Sequence, residues 1–245
     1  LVRENMRLHR IKIHTFIHPI VRQIMKLYNK KKIVCLNQPQ IISDKTIYAV
    51  NHSCMWDIPI VTELLEKHNF LLAGKQKMRL PDRLGFILKG TIWVDRKNCE
   101  SREKAYNLMK RILEQEGSLT IFPEATWNLE PSLPMVPMYW GIIRLSLQIG
   151  TPIQPIVLEY RKDTCCVRFG KVLTCETLKN KKAGIDILRD EMATCKWMIW
   201  EQLWEKPLRR ECALRGEWEK ERNSRLQEYP WYNFDYEQGC VLREN

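Results

Sequence analysis

A histidine followed five residues later by an aspartate, in Asn51-His52-Ser53-Cys54-Met55-Trp56-Asp57, is the pair in this chain best suited to move a proton. A carboxylate hydrogen-bonded to one imidazole nitrogen fixes the tautomer and stabilises the imidazolium, leaving the other nitrogen to take a proton from a hydroxyl. That chemistry needs no serine nucleophile. Taken alone, the pair reads first as a helix cap or a satisfied polar group. Three further segments carry polar residues out of apolar runs. Gly90-Thr91-Ile92-Trp93-Val94-Asp95-Arg96 delivers Arg96, whose fixed fork of donors suits a phosphate. Phe122-Pro123-Glu124-Ala125-Thr126-Trp127-Asn128 puts Glu124 and Thr126 at a strand-to-turn junction, and reads equally as a proline-containing turn with a cap. Thr151-Pro152-Ile153-Gln154-Pro155-Ile156 is a proline-framed strand entry of the kind found at a sheet edge.

The elements that must hold these segments follow from periodicity. Alternation and β-branched content predict strands near 46–50, 70–73, 91–94, 119–122, 153–158 and 166–169. Helical spacing predicts helices over 58–67, 101–116, 139–148 and 184–204. Strands alternating with helices imply an α/β fold: a central mixed, mostly parallel sheet covered by helices, with an N-terminal amphipathic helical segment. The His52, Arg96 and Glu124 segments then leave strand ends, where such a sheet exposes functional groups. Trp197, Trp200 and Trp204 share one side of the last helix and are expected to face the core. Past Pro207 a charged stretch runs to Glu228 and into Tyr229, Trp231, Tyr232, Phe234 and Tyr236, expected to be a strap packed on the domain rather than a lipid-interface belt. The organisation is therefore 1–34 basic amphipathic membrane-surface segment, 35–206 α/β domain, and 207–245 charged and aromatic extension.

Charge distribution narrows the partners. The 245 residues are 44% hydrophobic and 28% charged, an ordinary globular composition, with a net charge of +11. Residues 1–34 carry nine of the Lys and Arg against Glu4 alone, so +8 of the +11 lies in the first seventh of the chain. A local basic attachment fits this better than a nucleic-acid channel, which needs cations spread along the fold. Over 8–30, Ile13, Ile17, Ile20, Ile24 and Tyr28 recur on one face, broadened by Phe16, Val21, Met25 and Leu27, with Pro19 expected to kink the helix. The polar side is almost wholly cationic, as in a helix lying among anionic headgroups; plain packing on a domain is the competing account. His14 and His18, four residues apart, are expected to be interfacial side chains rather than metal ligands. Nine cysteines without a C-x-x-C pair argue against a disulfide framework or zinc knuckle and for a reducing cytoplasm. The longest charge-free run, Leu145 to Leu158, is too short to span a bilayer, and the N-terminal residues do not read as a secretory signal.

In their order the four segments resemble the glycerolipid acyltransferase family typified by 1-acylglycerol-3-phosphate acyltransferase, over about Thr46 to Leu158. His52 and Asp57 match its His-x4-Asp pair, preceded by the usual asparagine at Asn51; Gly90 and Arg96 match its second block. Phe122, Pro123, Glu124 and Thr126 match its Phe-Pro-Glu-Gly-Thr-Arg block, and Pro152 and Pro155 its fourth. Lys75 stands where members commonly carry a lysine near the acceptor phosphate. Two positions depart. Ala125 replaces Gly, which alters the turn if that position needs positive φ. Trp127 replaces an Arg associated with the acceptor phosphate, and an indole brings no charge.

The resemblance implies an O-acyltransferase moving a fatty acyl group from acyl-CoA or acyl carrier protein to the hydroxyl of a lysophosphatidic-acid-type acceptor, without metal or bound cofactor. Trp127 keeps a non-phosphate acceptor, a glycolipid or other lysolipid, in view, with Arg96, Lys75 or Arg144 as the remaining cations. His52 would be the general base and Asp57 its partner; Lys75, Arg96, Glu124, Thr126 and Trp127 would contact substrate, Glu124 orienting either the acceptor or the catalytic pair. The implied setting is peripheral or monotopic, on the cytoplasmic face of an anionic membrane, with no nucleic acid. A catalytically silent lipid-surface binding protein is the alternative raised by Ala125 and Trp127, and the retained His52, Asp57 and Glu124 oppose it.

Overall fold

Seven strands form one sheet. The computed structural model describes residues 2–40, 43–75, 80–130 and 133–203, with 223, 227, 233–235 and 240–242 beyond them. The strands are β1 (Lys32–Cys35), β2 (Ile47–Val50), β3 (Asn69–Gly74), β4 (Ile92–Val94), β5 (Ser118–Ile121), β6 (Ile153–Arg161) and β7 (Thr164–Phe169), in spatial order β1-β7-β6-β2-β5-β3-β4. β6, β2, β5, β3 and β4 run parallel; β7 turns back antiparallel to β6, and β1 lies parallel to β7. The sheet is thus mixed and mostly parallel, as the alternation of elements implies. β1 begins at Lys32, inside the segment set apart as 1–34.

The helices are α1 (Val2–Tyr28), α2 (Asp57–Leu64), α3 (Leu80–Leu88), α4 (Cys99–Glu114), α5 (Gly141–Ile149), α6 (Cys175–Leu178) and α7 (Lys181–Leu203). Period-two alternation sends Ala49, Phe70 and Val157 to one sheet face, packed with Ile112 and Leu113 of α4, Ile143 of α5 and Leu188 and Met192 of α7. Val50, Leu71 and Ile156 point the other way, against Ile60 and Val61 of α2. Three layers result. Asn98 starts α4 by accepting from the Ser101 amide at 2.9 Å, and Gly150, left-handed at φ 69, closes α5. Trp200 is buried as expected; Trp204 lies outside the described residues.

Three readings of the sequence change here. Pro155 lies in an interior strand rather than at an edge; opposite it the Gly170 amide still donates to the Pro155 carbonyl at 3.0 Å, and the Gly170 carbonyl, which a proline cannot serve, accepts from Gln154 Nε2 at 2.7 Å. The residues 80–88 and 175–178 are helical although Pro81 and Gly85 break the pattern in the first and the second is a single turn. His14 and His18 are buried instead of interfacial, and α1 turns Ile13, Phe16, Ile20, Ile24 and Leu27 outward. The rings of the C-terminal strap lie outside the described residues; two backbone strands there, β8 (Asn233–Asp235) and β9 (Cys240–Leu242), pair antiparallel.

Candidate active site

β2 sits between β6 and β5, so the residue leaving its C-terminal end is flanked by whatever those two strands supply. Asn51, buried just past the strand, replaces ladder pairing with its side chain: Nδ2 donates to the Leu158 carbonyl at 3.0 Å and Oδ1 accepts from the Leu158 amide at 2.7 Å. The next residue is His52. Its main chain is held from the β5 side, where Glu124 Oε2 accepts its N–H at 2.7 Å and the Asn128 amide donates to its carbonyl at 2.6 Å. Glu124 Oε1 accepts from the Val136 amide at 3.0 Å. Glu124 is thus a buried brace on the His52 backbone. Burial pushes its carboxyl up to about 7, while the two backbone donors pull it the other way.

The imidazole makes contacts at both nitrogens. Nδ1 lies 2.6 Å from Asp57 Oδ2, and Trp127 donates its indole N–H to Nε2 at 2.9 Å. Phe122 stacks on the ring at 4.3 Å between centroids. A carboxylate only accepts and an indole N–H only donates, so the neutral imidazole in this arrangement carries its proton on Nδ1 and its lone pair on Nε2. Asp57 is 0% exposed, and His52 keeps 17% of its side chain accessible.

Asp57 is also the first residue of α2, where a negative charge meets the positive end of the helix dipole. Oδ2 accepts from the Ser53 and Cys54 amides at 2.6 and 3.0 Å, and Oδ1 from the Tyr160 hydroxyl at 2.5 Å. Asp57 is therefore at once a fully satisfied polar group and the hydrogen-bond partner of the His52 imidazole. Cys54 donates its thiol to Oδ1 at 3.7 Å; burial, then the Asp57 charge, pushes that thiol up to about 12, so it is no thiolate nucleophile at neutral pH. Burial and then the Asp57 charge raise the Tyr160 phenol well above its ordinary range, keeping it a donor. Nothing local announces Tyr160. It reaches Asp57 only because β6 lies beside β2.

Farther along the same sheet edge, Arg96 follows β4 and is exposed, with Nη1 donating to the Ala125 carbonyl and its guanidinium 3.6 Å from where a Cβ on Gly74 would stand. Lys75 follows β3, exposed, and Thr126 is half-buried between Ala125 and Trp127. Ala125 has φ 55, the left-handed conformation that glycine adopts without penalty. Arg144 lies over the Tyr106 ring at 4.5 Å, on the α4–α5 side. Direct contacts thus join His52, Asp57, Glu124 and Trp127, with Arg96 tied to the same turn, and Lys75 lies exposed along the same edge. Among the described residues no group of three or more His, Cys, Asp or Glu is placed to hold a metal ion.

A family model described as Acyltransferase matches residues 26–159. The chain is 24% identical over 185 residues to a 1-acyl-sn-glycerol-3-phosphate acyltransferase of Saccharomyces cerevisiae, covering 69% of this chain and 61% of that protein. It is 27% identical over 143 residues to that of Cocos nucifera (55% and 46%), and 28% over 126 residues to the alpha form of Ovis aries (51% and 43%). The chain spans about half the length of these curated relatives. Its fold is like that of the 1-acyl-sn-glycerophosphate (LPA) acyltransferase PlsC of Thermotoga maritima, with a TM-score of 0.63 at 10% identity, covering 84% of this chain and 91% of that one.

Proposed function

This chain belongs to the Acyltransferase family, and on that premise we propose that it transfers a fatty acyl group from a thioester, acyl-CoA or acyl carrier protein, to the free hydroxyl of a lysophosphatidic-acid-type lysolipid. The observation that carries the reading is the 2.6 Å contact between His52 Nδ1 and the buried Asp57 carboxylate. In the proposed step the acceptor oxygen attacks the thioester carbonyl as its proton passes to His52 Nε2. Asp57 balances the imidazolium. When the tetrahedral intermediate collapses the C–S bond breaks and the sulfur leaves with that proton, giving a new ester and a free thiol. Glu124 keeps the base in register by its hold on the His52 amide, and Lys75 and Arg96 supply positive charge for an acceptor phosphate.

Both substrates have long apolar chains, which suits a site at a bilayer surface. The outward stripe of α1, Ile13 to Leu27, together with the +8 of residues 1–34, supports peripheral attachment to an anionic membrane, on the cytoplasmic face in this reading. Among the described residues no helix is long and apolar enough to cross a membrane. A second reading, an acceptor without a phosphate, is favoured by one observation: the neutral indole of Trp127 touches the base where a guanidinium is expected from the resemblance.

Incubation with acyl-CoA or acyl carrier protein and a panel of lysolipids tests both. Thiol release is expected only with an acceptor, and His52→Ala should reduce it by roughly a hundredfold or more. Retained turnover in that variant overturns the mechanism, and preference for a glycolipid over lysophosphatidic acid selects the second reading.

A further inference from the structure

An imidazole nitrogen has one lone pair, and on His52 Nε2 that lone pair is taken. Trp127 Nε1 donates to it at 2.9 Å, with the two rings at 87° and 5.9 Å between centroids. A general base must accept from the attacking hydroxyl at about 2.6–3.2 Å, the same distance from the same atom. Indole and hydroxyl cannot share it. The contact does not act through the Nδ1 side, which Asp57 holds independently with four further donors of its own, Ser53, Cys54 N, Cys54 Sγ and Tyr160. Ala125, Thr126 and Trp127 are all half-buried rather than packed in the core.

We propose that Trp127 is a displaceable cover on the base: its indole N–H fills the acceptor hydroxyl's position on His52 Nε2 until the acceptor arrives and takes its place. This rests on the acyl-transfer reading above. The consequence is selectivity between two nucleophiles. Water reaching an uncovered Nε2 beside a bound thioester would add its oxygen to the acyl carbon, break the same C–S bond, and give a free fatty acid and the same thiol. A lysolipid anchored by its chain and headgroup can displace the indole, whereas a single water brings no binding interactions to offset the lost hydrogen bond. A neutral hydrogen bond of this kind shifts such an equilibrium by roughly two- to tenfold, enough to bias the outcome and weak enough to open. Trp127 is in this account a specificity-determining residue, which explains why a donor without charge can stand at a phosphate-binding position.

Trp127→Phe keeps a ring and removes the donor. Diethyl pyrocarbonate acylates a free imidazole lone pair, and His14, His18 and His68 are buried. Carbethoxylation of His52, followed on its peptide by mass spectrometry without any substrate, is expected to quicken by roughly two- to tenfold in Trp127→Phe. Acyl-CoA hydrolysis without acceptor should rise by a similar factor relative to transfer onto 1-oleoyl lysophosphatidic acid in mixed micelles. Unchanged carbethoxylation with hydrolysis and transfer falling together would make Trp127 a brace and overturn the proposal. The wild-type protein gives a measurement free of folding effects: the Trp127 indole N–H, identified by its NOE to His52, should lose exchange protection on saturation with lysophosphatidic acid or lysophosphatidylglycerol micelles. An indole still protected with transfer under way overturns the cover. Failure of acyl transfer itself would appear separately, as wild-type turnover no greater than that of His52→Ala.

Discussion

Ala125 carries a measurable strain. At φ 55 its Cβ crowds the backbone, a conformation that costs a non-glycine residue about 1 kcal/mol or more, and it sits between Glu124, which braces His52, and the Thr126-Trp127 turn. The Ala125 carbonyl also accepts from Arg96, so the strained residue is held from both sides. Strain of this kind persists where neighbouring contacts over-determine the backbone, and here those contacts are the ones that set the base. Ala125→Gly should therefore raise the free energy of unfolding by about 1 kcal/mol, read as a higher urea midpoint with an unchanged slope. A lower midpoint would mean that the methyl group's packing outweighs its backbone cost. Asp57 shows a different logic at the same scale: it is wholly buried, and every oxygen has donors, so its charge stands behind His52 without an unsatisfied partner.

Among the elements, α1 is bound to the domain by a row of polar groups beside the buried Val21 and the half-buried Ile11, while most of its apolar stripe faces outward. His14 Nδ1 lies 3.1 Å from the Leu88 carbonyl, His18 Nε2 3.0 Å from that of Leu65, and Arg22 donates to that of Glu63 at 2.6 Å. These residues recur every four positions and meet the carbonyls left over at the C-terminal ends of α3 and α2. Below them His68 stacks on His14 at 5.3 Å, and the buried Lys89 donates to Asn69 at 2.9 Å. Burial pushes Lys89 down to about 7 and His68, chiefly by burial and then by the Lys89 charge, down to about 3. Above pH 7 the native state has shed the Lys89 proton while the unfolded state keeps it to about 10.5, so stability rises with pH there. Between pH 7 and 8.5, below the ordinary thiol range, the gain should be roughly 1.5 kcal/mol, and Lys89→Met should abolish the slope in urea titrations. Below pH 7 two effects oppose. The lowered His68 loses stability as pH falls from 6.5 toward 3, whereas the raised Glu124 loses it as pH rises from 4.5 to 7. This inward histidine face was invisible in the sequence, because apolar periodicity marks an amphipathic helix without saying which side meets protein. Six strands and five helices could be read from their periods, and His52, Asp57 and Glu124 from type and spacing. Pro81 and Gly85 interrupt the pattern over α3, β1 follows directly on the Lys30-Lys31-Lys32 run, and the four residues of α6 are too few to show a period. Tyr160 and the indole on Nε2 depend on strand order and on one turn's conformation, neither of which local spacing encodes.

For the whole molecule, the question is what the outward stripe of α1 meets. Phe16 is 82% exposed and Leu27 86%, with Ile13, Ile20 and Ile24 between or beside them, a row that water solvates poorly and a bilayer accepts. The row continues to Tyr28, whose ring lies 5.5 Å from that of Trp56, four residues past His52, and Met55 of the same loop is exposed. On the proposed membrane attachment, a helix placed this way would bring the His52 loop to the level where acyl chains emerge. The cations of residues 1–34 add attraction that salt weakens, whereas the apolar contribution persists. Burying each of the two most exposed side chains contributes about 1.5 kcal/mol or more, so Phe16→Ser with Leu27→Ser should lower partitioning onto anionic vesicles by roughly a hundredfold. Because both side chains point away from the core, the urea midpoint should hardly move. Turnover of a short-chain, water-soluble lysolipid should likewise persist while the KM for a vesicle-borne acceptor climbs. Vesicle sedimentation unchanged by the double substitution would assign the stripe to a protein partner instead, and leave the site without its route to the bilayer.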